Sequence, residues 1–258
     1  MTGRQLSEKP SQLRSPLVLK LRTMVELTPG DVAALDALGS VRHHCAGGQT
    51  LFEADKRRTA AVLVHDGWAF RHRTLSDGRR QVIDFDLPGD LCDPTVFVTS
   101  RAGFSMQALT ALSYSLVRAE EVLDLMTRSP RIGAAFWWAD AHQEAITRAH
   151  LVAVGRMSAY ERVAYLLWEL WTRLRMIGLA DGAGFEFPAG QDVIADAAGL
   201  SYVHLSRTLR RLDREGLLRR AGRNWRILDA GRLHDLVQIT DGLQLNPLAR
   251  RIQERLSR

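Results

Sequence analysis

The apolar positions of residues 191–212 repeat at the spacing of two short helices. The first helix ends at a break formed by residues 199–201, and the second carries leucines at i, i+4 and i+7. The apolar positions are Val193, Ile194, Ala197, Leu205, Leu209 and Leu212. Two short helices joined by a tight turn are typical of a helix-turn-helix motif.

The second predicted helix is basic on the face opposite its leucines, at a step of about 100° per residue. Outward arginines can reach phosphates and guanine edges, as a helix lying in a DNA major groove must do. The alternative is an ordinary surface helix with a solvated basic face. We predict that nine residues of this helix and of the following hairpin contact DNA: Tyr202, Val203, His204, Ser206, Arg207, Arg210, Arg211, Arg214 and Arg223.

Between residues 40 and 118 the helical spacing gives way to short apolar runs separated by turn residues. Strands this short, with turns this frequent, favour an antiparallel jelly roll or barrel over a parallel sheet. A helix pair is predicted before them, with Thr28 and Pro29 as N-cap and first helical residue. The predicted strands cover residues 50–52, 60–65, 68–74, 81–85, 105–109 and 114–118.

Residues 129–157 predict a long helix that begins at Ser129 and Pro130. At about 1.5 Å per residue this helix is a rod of about 40 Å. A heptad seam of mostly small residues lets two helices approach closely, so we predict a dimerisation helix. The alternative is a helix packed within its own chain on the β domain. The predicted dimer seam consists of Ile132, Ala135, Ala139, His142, Ile146, Ala149 and Ala153.

These patterns predict an α+β protein with an N-terminal antiparallel β-roll (jelly roll), a long dimerisation helix and a C-terminal winged helix-turn-helix. Residues 1–20 lack periodicity and are predicted to form a flexible arm. Ser158 and Glu161 have the spacing of a capping box, which starts the last domain. The predicted domains are the β-roll at 21–128, the long helix at 129–157, the winged helix-turn-helix at 158–237, and a basic tail without assigned role at 238–258.

The positive charge of the chain is concentrated beside the predicted recognition helix. The formal net charge is +6, and residues 207–226 hold eight arginines against two acidic residues. A local excess of this kind favours a polyanionic partner over a general surface charge. The charge pattern and the helix-turn-helix together predict double-stranded DNA as that partner.

Cysteine usage and the known catalytic motifs narrow the function further. Cys45 and Cys92 are too few for a disulfide framework or for the four thiolates of an iron–sulfur cluster. The sequence has no Cys/His spacing of a metal site and no apolar run of about 18 residues. Phosphate-loop, serine-hydrolase and zinc-protease motifs are absent from it. We therefore expect a cytoplasmic protein that is not an enzyme, with neither a metal site nor a membrane partner.

The order of these parts resembles the Crp/Fnr family of bacterial transcription regulators over about residues 24–237. The resemblance is strongest in MSAYERVAYLLWEL, in DVIADAAGLSYVHLSRTLRRLDREGLL and in LSDGRRQVIDFDLPGDL. The stretch YVHLSRTLRRL is similar to branches whose recognition helix reads VHVNR-like. The resemblance implies a homodimer that binds a two-fold symmetric operator, acts on RNA polymerase and senses an effector through the β-roll.

The resemblance also implies an effector pocket and restricts its ligand. Relatives that bind cyclic AMP use Gly-Glu-Leu and then an Arg-Ser pair, whereas residues 89–91 here read Gly-Asp-Leu and Phe104 replaces the arginine. The charge that would neutralise a cyclic phosphate is thereby lost, and Arg101 could supply it only with a shift in register. We expect no cyclic AMP binding, and the effector stays unidentified. The implied pocket consists of Gly89, Asp90, Leu91, Cys92, Arg101, Phe104 and Ser105.

Two residue-level interpretations and one alternative function follow. Val203 stands where relatives have an acidic residue that accepts from cytosine, whereas Arg207 matches the arginine that reads guanine, so the half-site should differ. Cys92 is either a redox-active thiol or a buried structural cysteine, and the second is favoured. The alternative function is a small-molecule or cyclic-nucleotide receptor whose C-terminal domain engages a protein partner. A shift assay on random genomic fragments distinguishes the two.

Overall fold

The computed structural model describes residues 15–99 and 101–237. The predicted basic tail at 238–258 and residues 1–14 of the predicted arm lie outside the described residues. Within the described part of the chain, every helix is too short or too polar to cross a membrane.

The N-terminal half is an antiparallel β-roll of two four-stranded sheets. Its strands are β1 (His43–Cys45), β2 (Thr50–Phe52), β3 (Ala60–Asp66), β4 (Ala69–Thr74), β5 (Arg80–Asp86), β6 (Leu91–Cys92), β7 (Ser105–Ala108) and β8 (Leu112–Arg118). One sheet has the order β1-β8-β3-β6 and the other β2-β7-β4-β5, and all pairings are antiparallel. The predicted fold class of this region is confirmed.

Two short helices, α1 (Pro16–Arg22) and α2 (Pro29–Ala37), precede the strands. Thr28 caps α2 as predicted. The predicted flexible arm is wrong for residues 16–20, because α1 packs its apolar side against the β-roll. The buried side chains of α1 are Leu17, Val18 and Leu21.

Two helices follow the β-roll, α3 (Ala119–Arg128) and α4 (Pro130–Arg156). The Ser129 hydroxyl accepts a hydrogen bond from the Ile132 backbone nitrogen, so α4 begins where the sequence predicts. Its 27 residues form the predicted rod.

The C-terminal region starts with α5 (Ala159–Met176) at the predicted capping box of Ser158 and Glu161. Its strands make one antiparallel sheet in the order β11-β12-β10-β9, so the predicted wing hairpin, β11 with β12, has a further strand pair beside it. The elements after α5 are β9 (Ala180–Asp181), β10 (Gly184–Glu186), α6 (Gln191–Ala198), α7 (Tyr202–Arg214), β11 (Leu218–Ala221), β12 (Asn224–Ile227) and α8 (Ala230–Val237).

The predicted dimer seam of α4 is wrong, because it faces the interior of its own protomer. Near the start of α4 it packs in a core with α1 and α3, and near the end it packs against α5. A heptad of small apolar residues has the same spacing whether it faces another chain or its own core. The buried positions are Ile132, Ala135, Ile146, Ala149 and Ala153, and Ala139 and His142 are half-buried.

One hydrophobic core runs from the β-roll into the C-terminal region. The Phe85 ring on β5 meets the Phe187 ring edge-on with 5.0 Å between centroids, and Trp68 lies 5.4 Å from the same ring. Beside them, Arg80 of β5 donates to Asp196 of α6 at 2.7 Å. The division of the chain at residue 157 stays a prediction, and this packing joins the two halves across it.

Candidate functional site

The turn between α6 and α7 has helix-turn-helix geometry. Gly199 follows α6 with a φ of +62°, a left-handed conformation that glycine adopts without steric penalty. Ser201 caps α7, because its hydroxyl accepts a hydrogen bond from the His204 backbone nitrogen. The apolar face of α7 is buried as predicted, through Leu205, Leu209 and Leu212.

The opposite face of α7 is open to solvent. Tyr202 and Val203 are 58% and 59% exposed, so both side chains are accessible to a partner. Of the nine residues predicted to contact DNA, Ser206 is half-buried and the others are exposed: Tyr202, Val203, His204, Arg207, Arg210, Arg211, Arg214 and Arg223. Their contacts with DNA stay a prediction.

The arginines of this surface differ in how their guanidinium groups are held. Arg210 donates to the Ser206 hydroxyl at 3.2 Å, and Arg214 donates to the Arg210 carbonyl at 3.3 Å. The Arg207 guanidinium makes no hydrogen bond or ion pair with another residue in the described part of the chain. It can therefore bind an external acceptor without breaking an internal bond.

The Arg211 guanidinium is held by Glu215 and by Tyr160 of its own chain. The sequence contains no sign of the contact with Tyr160. Arg211 Nε donates to Glu215 at 2.7 Å, and the guanidinium lies 4.2 Å from the centre of the Tyr160 ring. The Tyr160 hydroxyl also donates to Glu215, and burial together with that carboxylate raises the pKa of Tyr160 to about 12. Tyr160 and α7 border a cleft of about 800 Å³. Because Tyr160 is distant in sequence, no local pattern could have placed it here.

A second candidate site is a cavity of about 540 Å³ between the β-roll and helices α1, α3 and α4. Three residues of the predicted effector pocket do not line it. Cys92 is buried in β6, the Ser105 hydroxyl accepts from the Ala54 backbone nitrogen, and Arg101 is exposed and donates to the Asp55 carbonyl. The predicted residues that do line the cavity are Gly89, Asp90, Leu91 and Phe104.

The environment of Cys92 supports the interpretation as a structural cysteine. Its side chain is buried in the core between the sheets. Burial raises the pKa of the Cys92 thiol well above its usual value. Since the thiolate is the nucleophilic form, a thiol held protonated in this way is unreactive.

Asp86 is the cavity residue that the sequence analysis missed. Its carboxyl is buried, with Oδ1 3.2 Å from Arg71 Nε, and Oδ2 has no hydrogen-bond partner among the described residues. Burial raises the pKa of Asp86 to about 7, against the attraction of Arg71. Asp84 and Asp86 are both buried on β5, and the local sequence gives no signal that Asp86 lines the cavity.

A network of buried charges lies beside the cavity and joins the β-roll to α5. Arg173 of α5 donates to Asp84 at 3.0 Å, to Asp90 at 2.7 Å and to Glu169 at 2.7 Å. Lys20 of α1 also donates to Asp90. Burial opposes ionisation of Asp90, but the charges of Lys20 and Arg173 lower its pKa to about 2. Asp90 is therefore charged at neutral pH.

Asp84, His150 and Glu169 bring possible metal ligands within 4.8 Å of one another. The sequence predicts no metal site, and these residues are far apart along the chain. Nη1 of Arg173 bridges Asp84 and Glu169, so a guanidinium already supplies the positive charge that the two carboxylates require. We therefore assign no metal site to this cluster.

We expect Asp86 to make stability fall as pH rises through its own titration. A carboxyl whose pKa rises from 3.8 to about 7 on folding holds its proton more tightly in the folded state. Its contribution is fully present below about pH 4 and is lost as pH rises to 7, by at most about 1.4 kcal/mol per pH unit. Urea unfolding from pH 4 to 8 should show that the free energy of unfolding of Asp86→Asn rises relative to that of wild type as the pH increases.

Asp77→Asn is the matched control, because Asp77 is an exposed aspartate in the turn after β4. The pKa of Asp77 is lowered by hydrogen bonds from Arg79, so the difference in unfolding free energy between Asp77→Asn and wild type should stay constant above about pH 5 and move in the opposite direction below it. An Asp86→Asn variant that keeps a constant difference from wild type would show that the Asp86 carboxyl titrates normally.

Comparisons with known proteins agree with this geometry. Residues 161–236 match the family model of the Crp-like helix-turn-helix domain. The nitrogen fixation regulation protein FixK of Rhizobium meliloti is 30% identical over 178 residues, which cover 66% of this chain and 74% of that protein. FixK of Bradyrhizobium diazoefficiens is 29% identical over 196 residues, which cover 76% of this chain and 81% of that protein.

A solved structure shows the same fold. The structure of FixK2 from Bradyrhizobium japonicum superposes with a TM-score of 0.66 at 26% identity, and covers 76% of this chain and 96% of that one. A third relative, the transcriptional activator protein FnrL of Cereibacter sphaeroides, is 27% identical over 196 residues, which cover 75% of this chain and 78% of that protein. The chain therefore belongs to the Crp/Fnr family of DNA-binding transcription regulators.

Proposed function

We propose that this regulator binds a two-fold symmetric operator as a homodimer, acts on RNA polymerase and responds to an effector in its β-roll. The observation that carries the proposal is the recognition helix α7, whose leucines are buried and whose Arg207 is exposed without an internal partner. A free guanidinium of this kind suits O6 and N7 of guanine in a major groove. The local excess of arginine beside it suits the flanking phosphates.

The exposed face of α4 supports the homodimer. Trp137 is 65% exposed and Leu151 is 74% exposed, so a long helix presents large apolar side chains to solvent. These residues fall on a heptad stripe opposite the buried face, and Glu144 and Arg148 form an ion pair at 3.1 Å within it. We call this set the outer stripe: Ala134, Trp137, Ala141, Glu144, Arg148, Leu151 and Gly155.

We expect the double variant Ala141→Glu with Leu151→Glu to dissociate the dimer. Across a two-fold axis each new carboxylate would face its own copy in the partner, and the repulsion should separate the protomers. Sedimentation velocity measures the change, and operator affinity should fall with it because each half-site is then bound alone.

The control is Leu75→Glu with Leu179→Glu, which makes the same kind of change at two leucines that are each 50% exposed and lie in turns outside α4. This control should sediment like wild type. If the outer-stripe variant also sediments like wild type, the outer stripe is not the dimer interface.

The experiment that tests DNA recognition is selection of bound fragments from a random genomic library. We expect the recovered fragments to share an inverted repeat whose half-sites are about one helical turn apart. Recovery of no common sequence, together with capture of a specific protein by residues 158–237 of the intact chain, would favour the alternative of a receptor that engages a protein partner.

A further inference from the structure

The cavity beside the β-roll has the size and walls of a small-molecule site. Its volume of about 540 Å³ lies within the usual range for ligand pockets, about 300 to 1,000 Å³. It is enclosed by three helices and by the turns before and after β6. Its walls are largely apolar and include Leu17, Leu21, Phe97, Phe104, Val122 and Phe136.

The charged groups on the cavity wall are mostly acidic, and its two cations are already paired. Lys20 donates to Asp90, and Arg71 binds Asp84 at 2.7 Å and Asp86 at 3.2 Å. The cavity therefore presents no unpaired cation among its described lining residues. The carboxyl groups that line it are those of Asp86, Asp90, Asp93, Asp140 and Glu144.

Asp86 is the buried carboxyl group that this cavity leaves unsatisfied, and the neighbouring Nε of Arg71, 3.2 Å from Asp86 Oδ1, likewise has no hydrogen-bond partner among the described residues. Asp90 is bound by Lys20 and Arg173, and Asp93 is bound by Arg58 at 2.8 Å. Asp86 Oδ2 is buried and accepts no hydrogen bond from a described residue. A buried acceptor without a donor is costly, so a ligand that supplies the donor gains affinity.

We propose that the cavity binds a small hydrophobic amine, whose apolar body lies among the phenylalanines and whose ammonium group binds the Asp86 carboxyl. The inference rests on the proposed function only in taking the β-roll as the sensor. Aromatic walls add a cation–π attraction for the ammonium group. A phosphate or carboxylate would instead lie against buried carboxylates without a free cation to neutralise it. This excludes cyclic nucleotides by charge.

The bound amine would reach the DNA-binding region through the buried charges. Arg71 forms an ion pair with Asp86 at 3.2 Å and donates to Asp84 at 2.7 Å, and Asp84 in turn accepts from Arg173 of α5 at 3.0 Å. An ammonium on Asp86 competes with Arg71 for that carboxyl, moves Arg71 towards Asp84 and weakens the bond from Asp84 to Arg173. Ligand binding is thereby coupled to the helix on which the recognition helix packs.

A charge series on one ring system tests the ligand class. Tryptamine, tryptophol and indole-3-propionate present the same indole with a cationic, neutral or anionic end, and cyclic AMP is a fourth probe. With the full chain, tryptamine should raise the melting temperature saturably, because a ligand of the folded state stabilises it by mass action. By calorimetry tryptophol should bind at least about tenfold more weakly, which corresponds to a loss of about 1.4 kcal/mol. The two anions should not bind.

Two variants locate the site. Asp86→Asn should weaken tryptamine at least about tenfold and leave tryptophol unchanged, and Arg71 keeps its bond to Asp84 in that variant. Ala139→Trp places a large side chain of α4 in the cavity and should abolish binding of both tryptamine and tryptophol. This second variant tests the site even if Asp86→Asn does not fold. The exposed Asp77→Asn serves as the control with wild-type affinities.

Tighter binding of indole-3-propionate than of tryptamine, or no binding of any probe at millimolar concentration, overturns the inferred ligand class. Tryptamine binding that survives both Asp86→Asn and Ala139→Trp places the amine elsewhere and also overturns it. Operator binding is measured in parallel, with and without tryptamine. Absence of operator binding in both states contradicts the proposed function, whereas operator binding without an amine site contradicts this inference alone.

Discussion

Replacing Arg173 by methionine should lower the free energy of unfolding by about 3 to 5 kcal/mol. Arg173 is 6% exposed and donates to the buried carboxylates of Asp84, Asp90 and Glu169. Methionine keeps much of the volume but leaves three like charges without their common cation. Removal of one partner from a buried ion network costs more than the network contributes, because the remaining charges stay desolvated. Urea unfolding at pH 7 measures the loss.

Arg175→Met is the matched control on the same helix. Arg175 is exposed, and its guanidinium lies 4.7 Å from the centre of the Trp171 ring, so its loss should cost less than about 1 kcal/mol. The cost of Arg173→Met should also shrink as pH falls and the carboxylates become neutral. A variant with wild-type stability at every pH would show that the network does not connect the β-roll to α5.

Arg207→Ala should cost roughly 1–3 kcal/mol of binding free energy per half-site and relax the preference at one guanine. Arg207 lies in the N-terminal half of α7, which in this motif meets base edges, and its guanidinium has no internal partner. The loss should therefore be one of sequence discrimination, with little change in preference at other positions. Binding to an operator library at several salt concentrations measures it.

Arg210→Ala is the comparison variant, less than one helical turn away on α7. It should weaken all sequences about equally and reduce the slope of log K against log salt by about one unit per lost phosphate contact. Arg211 serves less well here, because its removal would also release Glu215 and Tyr160. If Arg207→Ala keeps the sequence preference while Arg210→Ala changes it, α7 is docked in another orientation.

Local signals were sufficient for the helix-turn-helix and for most of the β-roll. The cap at Thr28, the break at residues 199–201 and the strand at residues 50–52 are predicted where the structure has them. Caps, turns and side-chain periodicity depend on residues within one or two turns, so the sequence shows them directly. The strands β1 and β6 were missed, because β1 reads His-His-Cys without an apolar run and β6 has only two residues.

Local sequence signals do not show which of the two apolar faces of α4 is buried. Both sides of this helix carry apolar residues at heptad spacing, among them Ile146 on the buried side and Leu151 on the exposed side. The predicted seam is the side that packs against α1, α3 and α5 of the same chain. The positions of α1, α3 and α5 decide which side of α4 is buried within the chain. The sequence of α4 itself gives no information about those positions.

The sequence alone determined the order of the elements, the inward and outward faces of α7 and the concentration of arginine beside it, because each follows from residues that are close together in the chain. The tertiary structure decided the rest. The pairing of Arg173 with Asp84, the contact of Arg211 with Tyr160 and the unsatisfied Asp86 all join residues distant in sequence or depend on what surrounds them. Burial and charge pairing are set by those long-range neighbours, which only the folded chain brings together.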